Sequence, residues 1–99
     1  MRVAVSKRGS YNADIYCSDS HSAKKILKEN RVSILAIDFY LNGRHNGKTI
    51  LTWAREKNLL PQFVVVTENN RDKRVLLALE LTRGGYRTAD GTTFIKGHL

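Results

Sequence analysis

Apolar residues in this chain fall into short clusters, and the spacing within the clusters alternates along the sequence. Arg2–Ser6 puts Val3 and Val5 on one face and reads as a first strand. A polar loop follows at Lys7–Ala13, then a second strand at Asp14–Ser18. Ser18 or Ser20 reads as an N-cap, with Ala23, Ile26 and Leu27 at helical spacing in a helix that stops near Asn30. Val32–Asp38 has the length and β-branched content of a buried strand and ends in an acid. After the loop Phe39–Asn46 a second helix runs from Gly47 to Lys57, with Ile50, Leu51 and Ala54 turned inward. Leu59 and Leu60 lead through Pro61 into Phe63–Thr67, whose FVVV core is the strongest strand signal in the chain. Glu68, Asn69 and Asn70 form the next loop and cap, and a third helix over Arg71–Arg83 is stopped by Gly84 and Gly85.

This alternation predicts an α/β fold. The sheet should be mostly parallel with about five strands, because Ile34–Ile37 and Phe63–Val66 are continuous apolar runs of the kind buried parallel strands show. The three helices should lie mainly on one face. The tail has two readings. Thr92–Lys96 is a strand in both, but Asp90-Gly91 is also a two-residue hairpin signal that would pair it with Tyr86–Ala89. The third helix carries Val75, Leu76, Leu77, Leu79 and Leu81, more apolar surface than one buried stripe needs.

Length and composition narrow the classes. With 99 residues the chain is expected to form one domain, 1–99. The lone Cys17 cannot form an internal disulfide and reads as a small buried hydrophobe; no Cys/His spacing suggests zinc. No apolar run reaches the roughly 18–20 residues of a membrane span and no signal peptide is evident, so a soluble, cytoplasmic protein is expected. Lys and Arg total 17 against 9 Asp and Glu, a net charge of +8, which points to an anionic partner such as nucleic acid.

In an open parallel sheet, binding residues gather beyond the carboxyl ends of the strands. Those ends are Ser6-Lys7-Arg8, Asp38, Thr67-Glu68 and, for a parallel last strand, Lys96. An acid, a hydroxyl and a lysine in this order resemble the active site of the response-regulator receiver domain, with Asp38 on the phosphoacceptor position, Thr67 on the hydroxyl position and Lys96 on the lysine position. The stretch Ile34–Gly43, followed by Asn46-Gly47 and a helix, resembles the phosphoacceptor strand and its loop. The short loop at Lys7–Ala13, Trp53 on the following helix and Asn69-Asn70 are similar to the shortened cyclic-phosphate processing receiver-like group. That resemblance implies a helix-depleted receiver or flavodoxin-like fold. It also implies an association with RNA end processing and repair, often in phages, in which case the location is the host cytoplasm.

The departure from the family pattern decides the functional reading. Receivers hold Mg²⁺ with an acidic pair after the first strand, where this chain has Ser6, Lys7 and Arg8. Exchanging acids for cations removes ligands that a hard cation needs. The chain is therefore read as a non-catalytic pseudo-receiver without metal or cofactor, binding a protein partner or a ribonucleoprotein assembly. The alternative is an accessory to RNA end repair whose cleft holds a terminal or cyclic phosphate, with Lys7, Arg8, Arg44, His45, Arg71 and Lys96 as the anion-binding set. On the first reading Asp38 is only a counter-ion for Lys7 and Lys96. A phosphorylatable receiver and a catalytic His45 are the remaining options; His21 and His98 read as surface residues. Gly47-Lys48-Thr49 is not a phosphate-binding P-loop, since Asn42 stands where its first glycine would be.

A full receiver covers both sheet faces with helices. Here neither Lys7–Ala13 nor the residues after Lys96 supply the second layer. One apolar sheet face is expected to be buried in a homodimer or against a partner protein, with Tyr11 helping to cover it.

Overall fold

The computed structural model describes residues 1–7 and 11–97. In chain order its elements are β1 (Arg2–Val5), β2 (Ile15–Cys17), α1 (Ser20–Glu29), β3 (Ile34–Ile37), α2 (Gly47–Glu56), β4 (Phe63–Val66), α3 (Arg71–Arg83), β5 (Tyr86–Thr88) and β6 (Thr93–Lys96). The six strands form one sheet in the order β2-β1-β3-β4-β6-β5. The first four are mutually parallel. β6 runs antiparallel to both β4 and β5. The fold is α/β with a mostly parallel sheet, as the apolar pattern predicts, and the hairpin reading of the tail is the one adopted.

Each helix begins where a short polar side chain can accept an orphan backbone N–H. Asp19 Oδ1 accepts from Ser22 N at 2.7 Å, so the cap of α1 is Asp19, not either flanking serine. These hydrogen bonds hold the Asp19 carboxyl below its usual range. Asn46 and Thr49 exchange bonds in a capping box that opens α2. Asn70 caps α3 by accepting from Lys73 N. The turn between β5 and β6 spans Ala89–Thr92, longer than the two-residue hairpin expected. Asp90 Oδ1 accepts from Thr92 N and Thr93 N, and Gly91 takes a positive φ of 77°.

The core lies between the helices and one sheet face. Val3, Val5, Cys17, Leu35, Ile37, Val64, Val66, Tyr86 and Phe94 point toward Ala23 and Leu27 of α1, Ile50, Leu51 and Ala54 of α2, and Leu77 and Leu81 of α3. α2 packs between α1 and α3. Buried Glu80 on α3 accepts from Thr52 and pairs with Arg55 at 3.3 Å, joining α3 to α2 through a polar contact. Cys17 is buried as expected, and burial, then the nearby Asp19 charge, pushes its thiol up. Trp53 is half-buried beneath the Lys24 ammonium, 5.4 Å from the ring centroid.

Tyr86 ends the core under β5, its hydroxyl donating to the Pro61 carbonyl. Burial pushes its phenol from 10.0 up to about 12. The folded state therefore favours the protonated phenol. That contribution is complete below pH 10 and is lost as pH rises through about 12. Tyr86→Phe should abolish this alkaline loss, seen as a urea midpoint that falls less steeply across that interval than the parent's; parallel profiles would contradict the assignment.

Among the described residues no helix lies on the opposite sheet face. Two lateral rows cross it: Tyr16, Ala4, Ala36, Val65 and Thr93, then Arg2, Ile34, Phe63, Ile95 and Arg87. Ala4 and Ala36 are buried, whereas Tyr16, Phe63 and Ile95 are 51%, 38% and 44% exposed. Tyr16 accepts a hydrogen bond from Ala13 N, which ties the segment entering β2 to this side, and Tyr11 is half-buried. No helix among the described residues is long and apolar enough to cross a membrane.

Candidate functional site

β1, β3 and β4 run parallel, so Ser6, Asp38 and Thr67 emerge side by side at one end of the sheet. The backbone continues the ladder into the site: Ser6 N donates to Cys17 O, Asp38 N to Val5 O and Thr67 N to Ile37 O. This fixes the three side chains relative to one another without help from the loops. Asp38 is only 7% exposed. Its Oδ2 accepts from Ser6 Oγ at 2.6 Å and its Oδ1 from Thr67 Oγ1.

A second carboxylate, Glu68, lies next in the chain and is also buried. Its Oε1 accepts from Phe39 N at 2.8 Å and its Oε2 from Asn70 N at 3.1 Å. Glu68 thus fastens the loop after β3 to the start of α3. The first turn of α2 closes the site from the other side. Gly47 N donates to Phe39 O at 2.8 Å, and Gly47 lies so close to the Asp38 carbonyl that no side chain fits between them. The packing of Gly47 on β3 also accounts for the chance Gly-Lys-Thr sequence.

The expected lysine is not in the site. Lys96 N donates to Gln62 O, and Lys96 lies opposite Tyr86 at the end of the sheet where β4 begins. Thr67 is five residues further along, about 16 Å away at the rise of a strand. The cause is the short Ala89–Thr92 turn: a four-residue connection returns the chain antiparallel, whereas a parallel crossover needs a dozen or more residues. Lys96 instead lines a shallow groove with Thr82, Gly84 and Gly85 at the C-terminus of α3, where a cation suits the helix dipole. The counter-ion expectation fails with it. Among the described residues Asp38 makes no salt bridge to Lys7 or Lys96, and the salt bridge present is Arg55–Glu80.

Of the other anion-binding candidates, Lys7 follows β1, Arg44 and His45 lie in the loop between β3 and α2, and Arg71 opens α3. All four are exposed at the same end of the sheet as Asp38. Arg8 lies outside the described residues, as does His98. Two neighbours outside that anion-binding set share this end. Tyr40 is 48% exposed and edge-on to Phe39, and the Lys73 ammonium sits 4.9 Å from the Phe39 ring centroid.

The donor set does not suit a divalent cation. Mg²⁺ wants carboxylate oxygens in an octahedral shell. Both oxygens of Asp38 already accept from hydroxyls, both oxygens of Glu68 accept from backbone amides, and the end of β1 offers a serine and an ammonium. Among the described residues no three His, Cys, Asp or Glu side chains come together as a metal group.

This layer arrangement and strand order define a receiver-like fold. Among solved structures the chain is similar to the MaeR response regulator bound to beryllium trifluoride, with a TM-score of 0.59 and 21% sequence identity over 81% of this chain and 76% of that one. No family model matches the chain, and the search of curated proteins gave no match. The likeness concerns the fold; the residues at the strand ends are this chain's own.

Proposed function

We propose that this chain is a non-catalytic, receiver-like module that acts by docking a protein partner, with its strand-end carboxylate serving structure. The observation that supports this most is the state of Asp38. Its two oxygens are each satisfied by a neighbouring hydroxyl, and no acidic pair follows β1. A carboxylate held in this way stitches three strand ends together. Among the described residues no cluster of metal ligands stands beside it to hold a cation that would neutralise an incoming phosphoryl group. The docking surface is the sheet face without helices, where Tyr16, Phe63 and Ile95 stand exposed around a buried centre.

The test is incubation with acetyl phosphate and Mg²⁺ followed by intact-protein mass spectrometry. The expected result is unchanged mass, in parent and Asp38→Ala alike. A phosphoryl adduct on the parent that Asp38→Ala abolishes would overturn the reading.

A second reading draws on the rim of the same end of the sheet. Lys7, Arg44, His45 and Arg71 are exposed there, together with Tyr40. Cations around an exposed aromatic ring suit a phosphate-bearing RNA end, with the ring stacking on a base. On that reading the chain is an accessory to RNA end processing, encoded by a phage. RNA binding that weakens steeply with salt and is lost in Arg44→Glu/Arg71→Glu would favour it. A protein complex stable to nuclease and salt would favour the first.

A further inference from the structure

The row Arg2, Ile34, Phe63, Ile95, Arg87 runs across five adjacent strands in direct register. Residues directly opposite in a ladder project to the same face. The uncovered face therefore presents three apolar side chains in line, with an arginine at each end. Among the described residues neither guanidinium forms a salt bridge; the Asp14 carboxylate beside Arg2 is taken up by the Arg2 backbone N, which donates to Asp14 Oδ2 at 2.8 Å. Four strand spacings separate the ends, about 19 Å, and strands of three or four residues make the patch about 10–13 Å deep.

These dimensions select the occupant. A stable protein–protein interface takes about 800 Å² from each side. A patch of about 19 by 10–13 Å is much smaller, and matches the footprint of one helix, roughly 10 Å wide with side chains and about 13 residues long over that span. The charges select further. Two copies of this face packed with their strands aligned would bring arginine rows to the same margins. The net charge of +8 adds to that repulsion.

We infer that the uncovered face takes one amphipathic helix of a partner protein, lying across the strands, with an apolar stripe over Ile34, Phe63 and Ile95 and an acidic residue near each end to meet Arg2 and Arg87. This rests on the docking reading above and names the partner's chemistry.

The test uses the full chain and two synthetic amphipathic helices of about four turns that share one apolar stripe. One carries Glu at the two end positions, the other Lys. Fluorescence anisotropy should show the Glu-ended helix binding about tenfold more tightly, and Arg2→Glu/Arg87→Glu should reverse that order. Lys24→Glu/Lys25→Glu makes the same change in net charge on the helix-covered side and should leave the order intact. Equal effects of the two double variants would mean bulk charge attraction and would overturn the inference. So would sedimentation showing a dimer that Phe63→Ser/Ile95→Ser disperses, although the docking reading itself would survive. If Phe63→Ser/Ile95→Ser changes neither peptide binding nor sedimentation, the docking reading falls as well. Both residues are exposed, so these variants should retain the parent's circular dichroism spectrum and melting behaviour.

Discussion

Gly47→Ala should destabilise the protein by about 2–3 kcal/mol, lowering Tm by roughly 10–20 °C for a chain of this size. Position 47 opens α2 behind the Asn46 cap, and on intrinsic propensity alanine is the better residue in a helix by about 1 kcal/mol. Packing reverses the sign. A Cβ there would stand 2.1 Å from the Asp38 carbonyl oxygen, 3.0 Å from its carbon and 3.2 Å from Ile37 Cγ1. Two of these three are backbone atoms at the end of β3, which the ladder to β1 holds in place. The helix must move away, stretching the Gly47 N to Phe39 O bond and disturbing Asp38 between Ser6 and Thr67. Thermal unfolding followed by circular dichroism reads this directly. An unchanged or raised Tm would show that the start of α2 is not seated against β3 as described.

Glu68→Ala should cost about 2–3 kcal/mol, and Glu68→Gln about half as much. The two Glu68 oxygens accept from Phe39 N and Asn70 N in part-buried hydrogen bonds, on a carboxylate that is itself buried. Removing the carboxylate leaves two backbone donors without their partner, and a buried unsatisfied donor costs about 1–3 kcal/mol. An amide keeps one acceptor and so one of the two bonds. Urea unfolding should show the midpoint falling in the order parent, Gln, Ala with an unchanged m-value. An alanine variant within about 0.5 kcal/mol of the parent, the range of ordinary surface substitutions, would show that Glu68 does not clamp these loops.

Both predictions concern the strand ends, where sequence and structure part company most. The elements themselves were legible because each rests on local chemistry. Ile34–Ile37 and Phe63–Val66 are apolar on both faces, and Arg71–Arg83 is bounded by Asn70 and Gly84. One cap was misplaced by a single residue, since Asp19 and Ser20 are equally good acceptors and only the backbone conformation decides between them. The place of Lys96 was not legible. Its strand sits beside β4 as the receiver-like order requires, but its direction depends on whether four residues make a turn or the chain crosses over. The Asp90-Gly91 signal pointed to the turn, yet the match in residue order favoured the parallel reading. In the sequence Ser6 stands only where an acid is missing. That its hydroxyl reaches Asp38 depends on the β1–β3 register, which no local pattern sets. The sequence places Glu68 at a strand end and in the following loop, with no partner indicated. An acid two residues before a helix cap is the one sequence signal that could have marked it as an acceptor for the Asn70 amide.

The uncovered face follows from the same physics. Among the described residues no helix covers the rows through Ala4 and Ile34, yet the middle of each row, Ala4, Ala36 and Val65 in one and Ile34, Phe63 and Ile95 in the other, remains apolar. Burying such a surface in water-excluding contact is favourable by roughly 25 cal/mol per Å². The chain keeps a receiver-like scaffold, with cations at the rim of its strand ends and an apolar surface on the sheet face away from the helices.

On the proposed reading Asp38, held by Ser6 and Thr67, is a structural acceptor and does not receive a phosphoryl group. Fluorine NMR of the protein with beryllofluoride and Mg²⁺ tests it most directly. Free beryllofluoride signals alone are expected, with no amide shifts at Ser6, Asp38 or Thr67 in the matching proton–nitrogen spectrum. A saturable bound fluorine signal that depends on Mg²⁺ and disappears in Asp38→Ala would contradict it.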